Sequence, residues 1–340
     1  MIVVMARETS TDDLEAIRER IESRGMVAQI NLGVERTVIG VMGSIPPDFK
    51  DEMELMNGVV EVVMISKPYK LASKEFHPDD TIIKVGDAVI GGSTPVIMAG
   101  PCSVEDEEQM VSTAKAVKAA GATVMRGGAF KPRTSPYSFR GMGEDGLKLL
   151  LTAKQETGLP IITEVMATDD VETVAKYADI LQIGARNMQN YNLLDEVGKL
   201  DKPVMVKRGL AASYEEWLLA AEYVMAGGNQ QVILCERGIR GFETFTRFTL
   251  DVAAVPVIKR LSHLPIVCDP SHSTGKWYLV TPVALASIAA GAHGLIIEVH
   301  PNPDLAKCDG PQSLTFENFD MLMEQVNAIA SVRKQPVGTN

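Results

Sequence analysis

Residues 265–303 read PIVCDPSHSTGKWYLVTPVALASIAAGAHGLIIEVHPNP. An apolar run (265–268) ends on a polar exit, CDPSHS (268–273). A helical stretch near 278–290 follows, and then a second apolar run (294–298) ends on EVHPNP (298–303). Short apolar runs bounded by turn residues and separated by a helix are one β/α repeat. The apolar stretch 283–297 is broken by Gly and His and is too short to span a bilayer.

The same rhythm extends back to residue 95. Apolar runs at 95–99, 122–126, 160–164, 179–183, 203–207 and 231–235 precede the quoted pair. Helices are suggested near 105–120, 143–157, 168–177, 189–199, 213–226, 246–261, 278–290 and 315–331. Eight repeats in about 240 residues predict an α/β fold, a (β/α)8 TIM barrel over 93–332, since such barrels run to ~250 residues. A doubly wound open sheet is the alternative, but no G-x-G-x-x-G follows the first strand. Residues 333–340 are left as a C-terminal tail.

Ahead of the barrel the pattern differs. Short β-type runs at 1–6, 26–32, 36–43 and 59–65 flank a helix with Leu14, Ile17 and Ile21 on one face, and a weaker helix at 48–57. That βαββαβ order predicts a small α+β ferredoxin-like (ACT-like) domain over 1–66. The domain contains no His and no Cys, so catalysis is not expected there. Residues 67–80 lack periodicity and read as a linker, and TIIKVGDAVIGG (81–92) reads as a hairpin placed to close the barrel bottom.

Composition narrows the function. The 340-residue chain is 46% hydrophobic with a formal net charge of −11, which argues against general nucleic-acid or anionic-membrane binding. No C-x-x-C pair and no signal-peptide pattern is present, so a cytoplasmic protein with reduced thiols is expected.

Against that acidity, the strand exits concentrate chemistry. They read AGPCS (99–103), MRGGAFKPRTS (125–135), TE (163–164), IGARN (183–187), VKRG (206–209), CERG (235–238), CDPSHS and EVHPNP, while the strand starts carry no such groups. A barrel places its active site at the C-terminal strand ends. Two sets separate. Cys102, His272, Glu298 and Asp309 offer one thiolate, one imidazole and two carboxylates, a donor set for one divalent metal such as Mn, Fe, Co or Zn. Arg126, Lys131, Arg133, Arg186, Lys207 and Arg237 form a cationic set suited to phosphorylated or multiply anionic substrates. Glu164 reads either as a general acid/base or as a partner orienting the cations. Cys235 and Cys268 read as buried small hydrophobes, and Cys308 receives no role. His77, His263, His293 and His300 read as structural, with His300 close to the site. Arg237 alone has an acidic neighbour at short spacing, Glu236.

GPCS, MRGGAFKPRTSPYSF, IGARNMQN, VKRG, CERGIRGFE, DPSHS and CDGPQ, in that order, resemble the 3-deoxy-D-arabino-heptulosonate 7-phosphate (DAHP) synthases, in the form with a ferredoxin-like domain before the barrel. The resemblance implies condensation of phosphoenolpyruvate (PEP) with erythrose 4-phosphate, releasing phosphate, as the first step of the shikimate pathway. It implies a metal held by Cys102, His272, Glu298 and Asp309. It implies PEP surrounded by Arg126, Lys131, Glu164, Arg186, Lys207 and Arg237, and the sugar phosphate held by Arg133, Thr134 and Ser135. Catalysis would run through Lys131, Cys102, His272 and Glu164. An aromatic amino acid (Tyr or Phe) acting at 1–66 and a homotetramer are further implications.

Three rivals stand beside this. The sister enzyme, 3-deoxy-D-manno-octulosonate 8-phosphate synthase, uses arabinose 5-phosphate; its loop resembles K-A-N-R-S where this chain has Lys131-Pro132-Arg133-Thr134-Ser135, and Pro offers no N–H. A metal-free aldolase would use Lys207 as a Schiff base. A ligand sensor would use the first domain as reporter.

Overall fold

The computed structural model describes residues 1–33, 36–64, 68–132, 135 and 137–333. The chain divides into two compact units, Met1–Asp80 with Arg260–His263, and Thr81–Lys259 with Leu264–Asn340.

In the first unit, strands β1 (Ile2–Met5), β2 (Val27–Leu32), β3 (Thr37–Met42) and β4 (Val59–Val63) form an antiparallel sheet in the order β2-β3-β1-β4. Helices α1 (Thr11–Ser23) and α2 (Phe49–Glu54) cover one face. Strand alternation sends Val3, Met5, Ile39 and Val41 into a core with Ile17, Ile21, Phe49 and Met53. Ser10 starts α1 by accepting a hydrogen bond from the Asp13 N–H.

Residues 68–80 are not a free tether. Tyr69, Leu71 and Phe76 are buried, the Phe76 ring lies against Gly40, and Ser73 bridges Ser262. The polar composition hides these anchors because each is a single large apolar residue without a period.

The second unit begins with a hairpin of β5 (Ile83–Val85) and β6 (Ala88–Ile90). Eight parallel strands then close a barrel: β7 (Val96–Gly100), β8 (Val124–Arg126), β9 (Ile161–Val165), β10 (Ile180–Ile183), β11 (Val204–Lys207), β12 (Val232–Glu236), β13 (Ile266–Cys268) and β14 (Gly294–Glu298). Each strand pairs with its successor, and β14 pairs with β7 in a register that sets Glu298 opposite Gly100. The hairpin's Ile83, Val85, Ala88 and Ile90 join Val96, Val124, Ile180 and Ile296 in one buried cluster at the start of the strands.

The helices are α3 (Glu107–Ala119), α4 (Glu144–Thr157), α5 (Val171–Tyr177), α6 (Tyr191–Gly198), α7 (Tyr214–Ala226), α8 (Ala254–Leu261), α9 (Pro270–Thr274), α10 (Trp277–Ala290) and α11 (Phe316–Arg333). One boundary departs from the pattern. The helix expected from 246 begins at Ala254, because Arg247 and Phe248 give their N–H groups to Thr274 and Ser273, and Thr249 pairs with Ile239. Those bonds hold 238–253 as a loop. The short α9 lies inside a stretch read as a strand exit; Asp269 caps it by accepting from the His272 N–H.

Candidate active site at the barrel mouth

Strand exits from all around the barrel converge on one cavity of about 280 Å³. Arg126, Lys131, Ser135, Glu164, Arg186, Lys207, Arg237, His272 and Asp309 line it. Arg133 and Thr134 lie outside the described residues.

Cys102, His272, Glu298 and Asp309 each present one ligand atom, and those atoms all lie within 4.8 Å of one another. The β14–β7 closure brings Glu298 beside the Cys102 exit, and α9 brings His272. Asp309 is held in the left-handed region at φ 52°, alone among described non-glycine residues, and Asp tolerates that region better than most. His272 Nδ1 lies 2.8 Å from Asp269 Oδ2, which commits that nitrogen and leaves Nε2 facing Glu298 Oε1 at 3.1 Å. Glu298 Oε1 is buried with no hydrogen bond of its own. A thiol, an imidazole nitrogen and two carboxylates around one point fit a divalent transition metal.

Lys131 reaches into this cluster. Its Nζ donates to the Cys102 carbonyl at 2.9 Å and to Cys102 Sγ at 3.0 Å. Gly128 permits the approach, since a Cβ there would lie 2.7 Å from both the Cys102 carbonyl oxygen and Lys131 Cδ. Cys308 also belongs here: Cys102 Sγ lies 3.3 Å from Cys308 Sγ and 3.5 Å from Asp309 Oδ2. Its position beside Asp309 in the sequence was the available signal.

Electrostatics follow from burial and neighbours. The Cys102 thiol is pushed well up, first by its hydrogen bond to Cys308 and then by burial. Cys308, which accepts that bond, is lowered. Burial works against the charge on Lys131, yet Cys102 and Cys308 hold its pKa up. Burial lowers His272 against the pull of Asp269 and Glu298. Burial opposes the charge of Asp269, but His272 and Lys207 hold the carboxyl far down. Glu298 is likewise held low against burial by His272 and Arg126.

The cations differ in how they are held. Arg126 Nη1 lies 3.2 Å from Glu298 Oε1, while its buried Nε has no partner among the described residues. Lys207 Nζ donates to Asp269 Oδ2 at 2.6 Å. Glu236, next to Arg237 in sequence, pairs instead with Arg208 at 2.9 Å. Arg237 therefore keeps a buried Nη1 with no partner among the described residues, stacks over Phe248 at 4.5 Å, and has its pKa lowered by burial. Unpaired buried guanidinium N–H groups are costly unless an anion arrives to accept from them. Glu164 accepts from Gln182 Nε2 at 3.0 Å and packs against Gly184. Sequence reasoning assigned nothing to Asp269, Gln182 or Arg247, which also lines the cavity. For Asp269, its position three residues before His272 at a helix start was a readable cap signal.

Such a fold and site define a barrel enzyme for small, highly anionic substrates, with a candidate metal cluster at the strand exits. Residues 72–334 match the DAHP synthetase I family, and residues 1–67 match the DAHP synthase ferredoxin-like domain. The chain is 50% identical to the phospho-2-dehydro-3-deoxyheptonate aldolase of Thermotoga maritima, over 97% of this chain and 98% of that one. A crystal structure of DAHP synthase from Thermotoga maritima superposes with a TM-score of 0.78 at 49% identity, covering 98% of this chain and 97% of that one. A truncated form of that enzyme covers 78% of this chain and 97% of its own, with a TM-score of 0.74 at 49% identity. A 2-dehydro-3-deoxyphosphooctonate aldolase from Magnetococcus marinus is 32% identical over 74% of this chain and 94% of its own. The chain belongs to the DAHP synthase family, with the family's ferredoxin-like domain ahead of its barrel. It is an enzyme with DAHP synthase activity, the first step of the shikimate pathway. No helix among the described residues is long and apolar enough to cross a membrane.

Proposed function

We propose that the cavity condenses PEP with D-erythrose 4-phosphate and water, giving DAHP and inorganic phosphate. The observation that carries this is the unspent hydrogen-bonding capacity of buried Arg126 and Arg237 in one cavity with the four candidate metal ligands. Arg126, Arg186, Lys207 and Arg237 hold the carboxylate and phosphate of PEP, with Lys131 alongside. Arg133, Thr134 and Ser135 hold the sugar phosphate.

Cys102, His272, Glu298 and Asp309 would hold one divalent ion, which supplies Lewis-acid polarisation of the aldehyde when bound. PEP C3 attacks the aldehyde carbon, forming the C–C bond and leaving positive character at C2. Lys131 gives its proton to the developing alkoxide, a transfer suited to an ammonium between the two phosphate subsites. Water adds at C2, and the hemiketal phosphate collapses to the ketone with release of phosphate. Glu164, which accepts from Gln182, either orients the cations or takes the proton from that water. Holding both substrates in line can itself contribute about 7–11 kcal/mol of barrier reduction.

Lys207 bonded to buried Asp269 suits an anion-binding ammonium better than a Schiff-base nucleophile. An octonate-type relative aligns with 74% of this chain at 32% identity, so the sugar is the point to test. Phosphate release is measured with erythrose 4-phosphate and with arabinose 5-phosphate. Release with the five-carbon sugar alone would overturn the assignment. Loss of activity with a chelator, restored by a divalent ion, is expected; chelator-resistant activity with borohydride trapping on Lys207 would favour the rival.

We further propose that residues 1–66 carry feedback control by Tyr or Phe in a cytoplasmic homotetramer. The support is a ferredoxin-like domain with no His and no Cys in one chain with a barrel whose cavity is lined from 126 onward. Removing 1–66 tests it: inhibition by Tyr or Phe should vanish while turnover remains. Sedimentation of the full chain checks the subunit number.

A further inference from the structure

Gln312 is buried, with 3% of its surface exposed, and its side chain is spent at both ends. Its Nε2 donates to Glu298 Oε2 at 2.6 Å, and its Oε1 accepts from Arg247 Nη1 at 3.1 Å. A carboxylate cannot donate and a guanidinium cannot accept. The reverse amide orientation would set oxygen against oxygen and N–H against N–H, so Arg247 fixes which way the amide points. With Oε2 engaged by Gln312, Glu298 turns its other oxygen, Oε1, toward His272 Nε2 at 3.1 Å. Arg247 Nη1 also lies 3.4 Å from Asp309 Oδ2, so one guanidinium touches two of the groups around the cluster. Arg247 is in turn tied to the helix carrying His272: its N–H donates to the Thr274 carbonyl at 3.1 Å, and that of Phe248 to Ser273 at 2.7 Å.

We infer that Gln312 and Arg247 are positioning residues for the Cys102–His272–Glu298–Asp309 centre, acting as one relay that orients the Glu298 and Asp309 carboxylates toward a bound divalent ion. The inference rests on the metal reading above. Outer partners of this kind are worth roughly 10–100-fold in metal affinity. Neither residue supplies a ligand atom to the cluster.

The test uses the full chain, stripped with a chelator and titrated with Co2+ alone, followed by visible absorption. Unaltered protein should show a thiolate-to-cobalt band that Cys102→Ser removes. If it binds no Co2+, or if the band survives Cys102→Ser, the metal reading itself fails, separately from the relay. Gln312→Leu keeps the volume and removes both hydrogen bonds. Its Co2+ affinity should fall by about 10–100-fold, with a changed ligand-field spectrum. Arg247→Met should show the same direction of change, and Arg247→Lys should restore part of it. The double variant should lose less than the sum of the two single losses, because the two residues share one amide contact. Arg247 is partly exposed, so its variants report even if Gln312→Leu does not fold. An Arg247→Met protein with unaltered Co2+ affinity and spectrum overturns the relay. So does a Gln312→Leu protein whose melting temperature falls while its cobalt spectrum stays unchanged.

Discussion

Asp269 and His272 are joined twice: the carboxylate accepts the His272 backbone N–H at 3.0 Å and lies 2.8 Å from the ring Nδ1. The same carboxylate accepts from Lys207 at 2.6 Å. One buried group thus sets the tautomer of a candidate metal ligand and the position of a candidate substrate cation. Asp269→Asn keeps the shape but removes the charge that faces both. Turnover is expected to fall by about 10–100-fold or more, as for other outer partners of ligating histidines. Steady-state phosphate release checks this, and an unchanged rate would contradict it.

Arg237 stacks on Phe248 with a buried Nη1 that has no partner among the described residues. Its role is expected to be recognition of the anionic substrate. Arg237→Ala should raise the KM for PEP by about 100-fold, roughly 3 kcal/mol, since a charge-assisted bond is lost. Arg237→Lys should recover little, because an ammonium cannot reproduce the planar fork. Equal KM values across the three proteins would remove Arg237 from the binding site.

Gly184 has no room for a side chain. A Cβ would lie 2.1 Å from Glu164 Oε1, so Gly184→Ala must shift that carboxylate. A displacement of about 1 Å at a reacting site can cost about 100-fold in rate. A large loss of turnover with a nearly unchanged melting temperature is expected. If turnover survives, the position of Glu164 does not matter to the chemistry.

In the first unit, His263 is stacked on His77, and its Nε2 lies 2.8 Å from the Leu71 carbonyl. Burial lowers its pKa from 6.5 to about 4. Between those values the unfolded chain binds a proton that the folded chain refuses, so stability rises with pH through that window. The contribution is full above 6.5 and is lost as pH falls toward about 4, up to about 3 kcal/mol. Denaturant titrations from pH 7 to 4 should show that slope, and His263→Gln should flatten it. A variant with an equal slope would place the acid sensitivity elsewhere.

Periodicity and residue type carried much of this molecule. Repeated apolar runs report strands buried on both faces, and the polar exits report which barrel end holds the chemistry, because only that end can expose them without cost to the core. Cys102, His272, Glu298 and Asp309 could be grouped by donor chemistry, and the structure gathers them within 4.8 Å. Pairing is another matter, because it depends on which side chains the closed barrel brings face to face. Lys207 meets Asp269 from 62 positions away, and Arg126 at the end of β8 meets Glu298 at the end of β14, past the intervening β7. Glu236 bonds Arg208 and leaves its sequence neighbour Arg237 without a partner at Nη1 among the described residues. The loop that displaced the start of α8 is held by hydrogen bonds to α9, and residues 68–80 are anchored by isolated large side chains. Local sequence sets strand, helix and donor type. Carboxylate pairing, free guanidinium edges and amide orientation exist only once distant strand ends share one low-dielectric space.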